Sequence, residues 1–128
     1  MTFQVTALYA ALITMMVLIL ANIVSAQRGR AKVSILHGND MTLALWMRRH
    51  GNLVENAPLA LILMGLCEVA GLPALWLHAG GIALVVARLM HVAGLNTTNP
   101  AAPLRLAGGA ITQAVMLGGA AFLIWVQF

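Results

Sequence analysis

The stretch Arg48-Arg49-His50-Gly51-Asn52-Leu53-Val54-Glu55-Asn56-Ala57-Pro58 concentrates residues able to do chemistry in a chain of 128 residues. Within it, Arg48, Asn52 and Glu55 stand at i, i+4 and i+7, so on a helix they share one face. Arg88 and His91 share a face of another apolar segment by the same rule. An arginine near a carboxylate can be a polar pin that fixes helix register, with an uncertain net stabilisation once desolvation is counted. The same residues can instead line a polar pocket with excess positive charge. Such a pocket suits a small anionic peptide or nucleotide. It also favours a thiolate over a thiol, because nearby cations lower a sulfur pKa. His50 and His91 could hydrogen-bond a ligand there. No metal site is expected: His37, His50, His78 and His91 form no i, i+4 pair, and there is no cysteine partner. The single Cys67 lies among Leu63, Met64 and Leu66 and reads as an inert small hydrophobe. Glu68 lies roughly 20 Å further along the helix than Glu55, so it belongs to the opposite end, in a capping or interfacial role.

The elements that must position these residues are apolar. The chain is 62% hydrophobic and only 8% charged, where a soluble domain is about 25% charged. It reads as one integral membrane domain over residues 1–128, an all-α bundle of four transmembrane helices at about 5–26, 41–70, 74–95 and 104–126. Each segment supplies about the 20 apolar residues that a span requires. The small-residue sequence Val24-Ser25-Ala26 resembles a signal-peptide cleavage site. No positive n-region precedes it, however, and the apolar run is longer than the roughly 7–15 residues of an h-region, so a retained span is expected. Asp40 or Thr42 can cap the second helix. That helix exceeds the membrane thickness, which places its polar first turns at the interface. Pro58 removes one backbone hydrogen bond inside it. Gly71-Leu72-Pro73 allows only a tight turn. Gly108, Gly109, Thr112, Gly118 and Gly119 suit close helix packing in the fourth span.

Charge sets the orientation. Arg28, Arg30, Lys32, Arg48 and Arg49 flank the first loop, and Arg88 and Arg105 flank the third. The positive-inside bias puts both basic loops in the cytoplasm and both termini outside. Nucleic-acid binding is not expected, because the cations are spread over four apolar segments with no basic tail and no stacking platform. Arg30 and Lys32 read as interfacial anchors. Arg88 does not: it lies roughly 10 Å of helix before its loop, among Val85, Val86 and Leu89, and should face the bundle interior or a wet cavity. A small multidrug exporter would carry an ionisable acid in the first helix, and no charge occurs between Met1 and Ala26.

The second-helix segment Arg48 to Leu59 resembles the signature of the MAPEG proteins, the membrane-associated proteins in eicosanoid and glutathione metabolism. Their pattern is an arginine, an asparagine four positions on, a glutamate three further and a proline three after that, which Arg48, Asn52, Glu55 and Pro58 match. The segment from Ala87 to Gly94 is similar to the family's third helix, and Leu104 to Gly108 to the start of its fourth. The resemblance implies a homotrimer with glutathione bound between subunits at the cytoplasmic face. It implies that Arg48, Asn52 and Glu55 hold glutathione, with His50, Asn56, Arg88 and His91 nearby, and that Arg105 or Arg28 stabilises the thiolate. The implied chemistry is attack of that thiolate on a lipophilic electrophile, or reduction of a hydroperoxide. Where members with eicosanoid activity carry tyrosines, this chain has Asn56, His91 and Leu95. The wording His50-Gly51-Asn52 and the short loops resemble the bacterial branch, in an inner membrane. The other reading is a non-catalytic membrane protein of the same fold, whose polar cluster binds a lipid headgroup or serves assembly.

Overall fold

A computed structural model describes residues 3–128. The expectations that reach Met1 and Thr2, the full extent of the domain and the side of the N-terminus, lie there outside the described residues. Four helices follow one another: α1 (Gln4–Ala31), α2 (Met41–Val69), α3 (Ala74–Gly94) and α4 (Pro103–Trp125). All four are long and apolar enough to cross a membrane, and the described residues contain no strand. The three later helices begin and end within one residue of the expected positions.

α1 runs five residues beyond the expected end at Ala26. The apolar run marks the thickness of hydrocarbon, not the end of the helix. Nothing between Gln27 and Ala31 stops an α-helix outright, and Arg28 and Arg30 in the last turn oppose the partial negative charge there. The helix closes where Lys32 turns left-handed at φ 54°, with its N–H donated to the Arg28 carbonyl. At the start of α2 the cap is Asp40, whose carboxylate accepts the Leu43 N–H at 2.9 Å. α2 continues through Pro58 without a break.

α2 and α3 form the centre. α1 packs on both, α4 packs on both, and among the described residues the backbones of α1 and α4 do not come close. One buried cluster joins Tyr9, Met64, Cys67 and Leu77. A second joins Ile13, Leu20, Leu53 and Ala57. Large side chains such as Leu12, Met15, Ile19, Ile62, Leu66 and Leu117 point outward, as the lipid-facing surface of a membrane bundle requires.

In hydrocarbon, apolar contact between helices releases no water, so close packing and interhelical hydrogen bonds carry more of the association. Both are present. Between α3 and α4, a Cβ at Gly94 would run into the Arg105 backbone nitrogen and Leu104, and one at Gly108 into the Ala87 carbonyl and the His91 backbone. Only glycine permits this approach. By contrast a Cβ at Gly109 or Gly118 would meet nothing, so these two glycines of the expected packing set make no close contact within the chain. At the far end, the Glu68 carboxylate accepts the N–H groups of Val5 (2.9 Å) and Thr6 (2.8 Å). A residue at the end of α2 thus caps the start of α1, which has no side-chain cap of its own. Beside it, the Tyr9 hydroxyl bonds His78 Nδ1 at 2.9 Å and donates to the His78 carbonyl at 3.2 Å. His78 is therefore more than the plain interfacial residue its position suggests.

Candidate functional site

The chain goes up and down four times, so the end of α1, the start of α2, the end of α3 and the start of α4 lie at one end of the bundle. All seven Lys and Arg side chains belong to these segments, with Asp40 and Glu55 as the carboxylates nearby. Helical spacing turns Arg48, Asn52 and Glu55 to one side of α2. Arg48 and Glu55 meet across two turns, Nη1 to Oε1 at 3.1 Å and Nη2 to Oε2 at 3.5 Å. Their side chains are 61% and 54% exposed. Both belong to one helix, so within the chain the pair joins two turns of α2 and not two helices. It is an open ion pair on a surface.

Asn52 turns inward instead. Its side-chain oxygen accepts from Nη2 of Arg88. Nη1 of the same guanidinium donates to the Thr112 hydroxyl at 3.3 Å. Arg88 is 1% exposed. It faces the interior, as its depth in α3 requires, and its partners there are neutral. Its Nε has no hydrogen-bond partner among the described residues, and neither does Nδ1 of the buried His91, one turn further along α3. Asn56, half-buried, donates its amide to the Asn52 backbone carbonyl at 2.8 Å. His50 is half-buried on the same stretch of α2.

The two arginines that the resemblance sets beside a sulfur bond loop carbonyls within the chain. Arg28 donates to the Leu36 carbonyl at 2.7 Å and approaches the Met47 sulfur at 3.4 Å, strapping the first loop. Leu36 sits at φ 56°, a left-handed conformation unusual for a leucine, and Arg28 holds its carbonyl there. Arg105 donates to the Pro100 carbonyl. α1 and α4 do not pack on each other, and no hydrogen bond joins Arg28 to Arg105 among the described residues.

The structure also gives roles to three residues that spacing alone did not assign. Arg49 donates to the Leu95 carbonyl at 2.8 and 3.2 Å and lies 4.5 Å over the Trp46 ring, tying α2 to the end of α3. Gln27 donates to Asp40 at 3.0 Å and joins α1 to the cap of α2. The Leu43 N–H, and then Gln27, hold the Asp40 carboxyl below its ordinary range. Thr112 receives Arg88; its place four residues after Gly108 was legible, its partner was not. No cluster of three metal-ligating side chains occurs among the described residues. An apolar cavity of about 300 Å³ lies in the other half of the bundle, between α2, α3 and α4. Cys67, facing it, has its sulfur 3.5 Å from the Gly119 carbonyl, and burial raises no case for it as a nucleophile. The gathered cations lie at the opposite end of the bundle from this cavity.

A sequence model of the MAPEG family matches residues 6–125. The chain is 35% identical, over 93 residues, to the inner membrane protein YecN of Escherichia coli K12; the match covers 73% of this chain and 71% of that protein. The counterpart in Escherichia coli O6:H1 matches equally. No solved structure matches.

Proposed function

The chain belongs to the MAPEG family, and from that premise we propose that it is a glutathione transferase or peroxidase of a bacterial inner membrane. Its relatives' names support the membrane. The observation that carries the chemistry is the unbalanced charge at one end of the bundle. Seven cations gather there against Asp40 and Glu55, and the only ion pair among the described residues is Arg48 with Glu55. A buried arginine with neutral partners beside an open polar face fits a ligand that brings carboxylates.

In this reading both basic loops face the cytoplasm, both termini face outside, and three copies assemble with glutathione between neighbours. Arg48 and Asn52 meet its carboxylates, and Glu55 meets its ammonium group. His50, Asn56, Arg88 and His91 complete the polar wall. The thiol gives its proton to solvent, and the surrounding cations hold the thiolate. The thiolate then forms a sulfur–carbon bond with a lipophilic electrophile arriving from the bilayer, either displacing a leaving group as its anion or adding to an activated double bond whose carbanion takes a proton from solvent. With a hydroperoxide it breaks the O–O bond, releasing the alcohol and a sulfenic acid that a second glutathione converts to the disulfide and water. Arg105 is the activating arginine within the chain that holds Arg88, whereas Arg28 reaches the same site only from a neighbouring copy.

A second reading has its own support. Arg28, Arg49 and Arg105 all end on backbone carbonyls, a structural use. A non-catalytic member, its polar end binding a lipid headgroup or serving assembly, would look the same in this respect. The ultraviolet absorbance of glutathione thiolate separates the two. Purified protein mixed with glutathione is expected to give the thiolate signal, Arg105→Ala to abolish it, and Arg28→Ala to weaken it. Glutathione bound by an independent measurement but without a thiolate signal would sink the transferase reading.

A further inference from the structure

Arg88, Thr112 and Asn52 come from three different helices, and the direction of every hydrogen bond between them is fixed by chemistry. A guanidinium carries five N–H donors and no acceptor. Whatever it touches must therefore accept. Thr112 has a single O–H, and that proton is donated to the Gly108 carbonyl at 2.8 Å, so lone pairs face Arg88. Asn52 must present its oxygen to Arg88. An asparagine side chain is otherwise free to exchange its oxygen and nitrogen ends by a half-turn. Here the half-turn would set an NH₂ group against a buried cation. The amide nitrogen is therefore held away from Arg88.

The arrangement depends on the close approach of α3 and α4. Gly108, lacking a Cβ, lets α4 lie against the Ala87 carbonyl and the His91 backbone. One turn later this brings the Thr112 hydroxyl to Arg88. The guanidinium is 1% exposed, so its field on Asn52 is little screened by solvent. An amide whose oxygen accepts from a cation is polarised along its length, and its N–H groups become stronger donors.

We infer that Thr112 and Arg88 are positioning residues that lock the Asn52 amide with its NH₂ group toward the open face, so that Asn52 meets the bound molecule as a hydrogen-bond donor to a carboxylate. The inference rests on the glutathione reading for the identity of that carboxylate, but not for the order of the three residues. It also gives the site a preference: a ligand amine placed at Asn52 finds no acceptor there.

The test uses the full chain in detergent, with two readouts. The first is the ¹H–¹⁵N side-chain resonance of Asn52, recorded without ligand. The second is glutathione affinity by calorimetry. Thr112→Val, which keeps the shape and removes the hydroxyl, is expected to move the Asn52 resonance and weaken glutathione binding by about tenfold. Thr112→Ser is expected to restore the resonance, and the affinity to within about twofold. Asn52→Asp keeps a bond to Arg88 but offers no N–H; it should remain folded and lose glutathione by more than about tenfold. This variant decides the matter if Thr112→Val does not fold. An unmoved Asn52 resonance in Thr112→Val, equal losses in Thr112→Val and Thr112→Ser, or parent-like binding by Asn52→Asp would each overturn the inference. If the parent takes up no glutathione, the functional reading falls, and the resonance still decides the order Thr112–Arg88–Asn52.

Discussion

At the scale of single residues, exposure separates arginines that hold the fold from arginines free to hold something else. Arg48 and Glu55 are more than half exposed, and exposed pairs typically contribute about 0–1 kcal/mol. Arg48→Ala or Glu55→Gln is therefore expected to shift unfolding in sodium dodecyl sulfate by less than about 1 kcal/mol, yet to cost most of the glutathione affinity in a titration. A large stability loss with unchanged affinity would assign the pair to structure alone. Asp40 responds to pH with a definite sign. The Leu43 N–H, and next the Gln27 amide, favour its charged form, so its folded pKa lies below the ordinary 3.8. Its contribution is fully present above that ordinary value and is lost as pH falls through the depressed one. Asp40→Asn, which keeps a capping oxygen, is expected to flatten this acid limb in a pH series of thermal melts. The residue scale is also where the sequence was least legible. Arg88 was recognisable as an interior cation from its depth among valines and leucines. Thr112 was not recognisable as its partner, because α3 and α4 are apolar on most sides and periodicity does not reveal how far each is rotated about its axis.

At the scale of elements, most of the fold could be read directly. Four apolar runs of spanning length, a capping aspartate at Asp40 and a turn at Gly71-Leu72-Pro73 suffice to lay out α2, α3 and α4 within a residue. α1 was misjudged because the end of an apolar run and the end of a helix are different physical events. Glycine pattern was informative only in part: Gly94 and Gly108 are tight backbone contacts, whereas Gly109 and Gly118 have open space where a Cβ would stand. The distinction can be measured. Gly108→Ala forces a Cβ against backbone that cannot rotate aside, and overpacking of this kind typically costs about 1–3 kcal/mol. Gly109→Ala and Gly118→Ala, with nothing in the way, should be near-neutral within the monomer. Unfolding in sodium dodecyl sulfate distinguishes them. Glu68 offers a companion test at the other end. With Glu68→Ala the amides of Val5 and Thr6 lose their acceptor, and their hydrogen exchange should accelerate while that of α3 is unchanged.

At the scale of the whole molecule, charge is sorted along the bundle. Glu68 stands at one end, with Tyr9 and His78; seven cations and two carboxylates stand at the other. That polarity was legible from loop composition alone, because short loops reveal which ends of which helices must coincide. Two features that depend on rotation and packing were not legible: the pairing of Glu55 with Arg48 of its own chain, and the use of Arg28 and Arg105 to hold loop carbonyls. That the backbones of α1 and α4 do not come close among the described residues was equally hidden. It leaves one flank of each outer helix without a neighbour from its own chain.

This separation of α1 from α4 has a genetic consequence. Suppose that one ligand draws Arg28 and Arg105 from different copies, as the proposed assembly has it. An Arg28→Ala allele and an Arg105→Ala allele, each impaired alone, should then complement when expressed in one cell, because mixed assemblies rebuild a share of sites with both arginines. Two alleles affecting the same chain's half of the site, such as Arg105→Ala with Thr112→Val, should not. The number of copies an activity requires would thus be read from a cross between mutants, with no need to purify the complex.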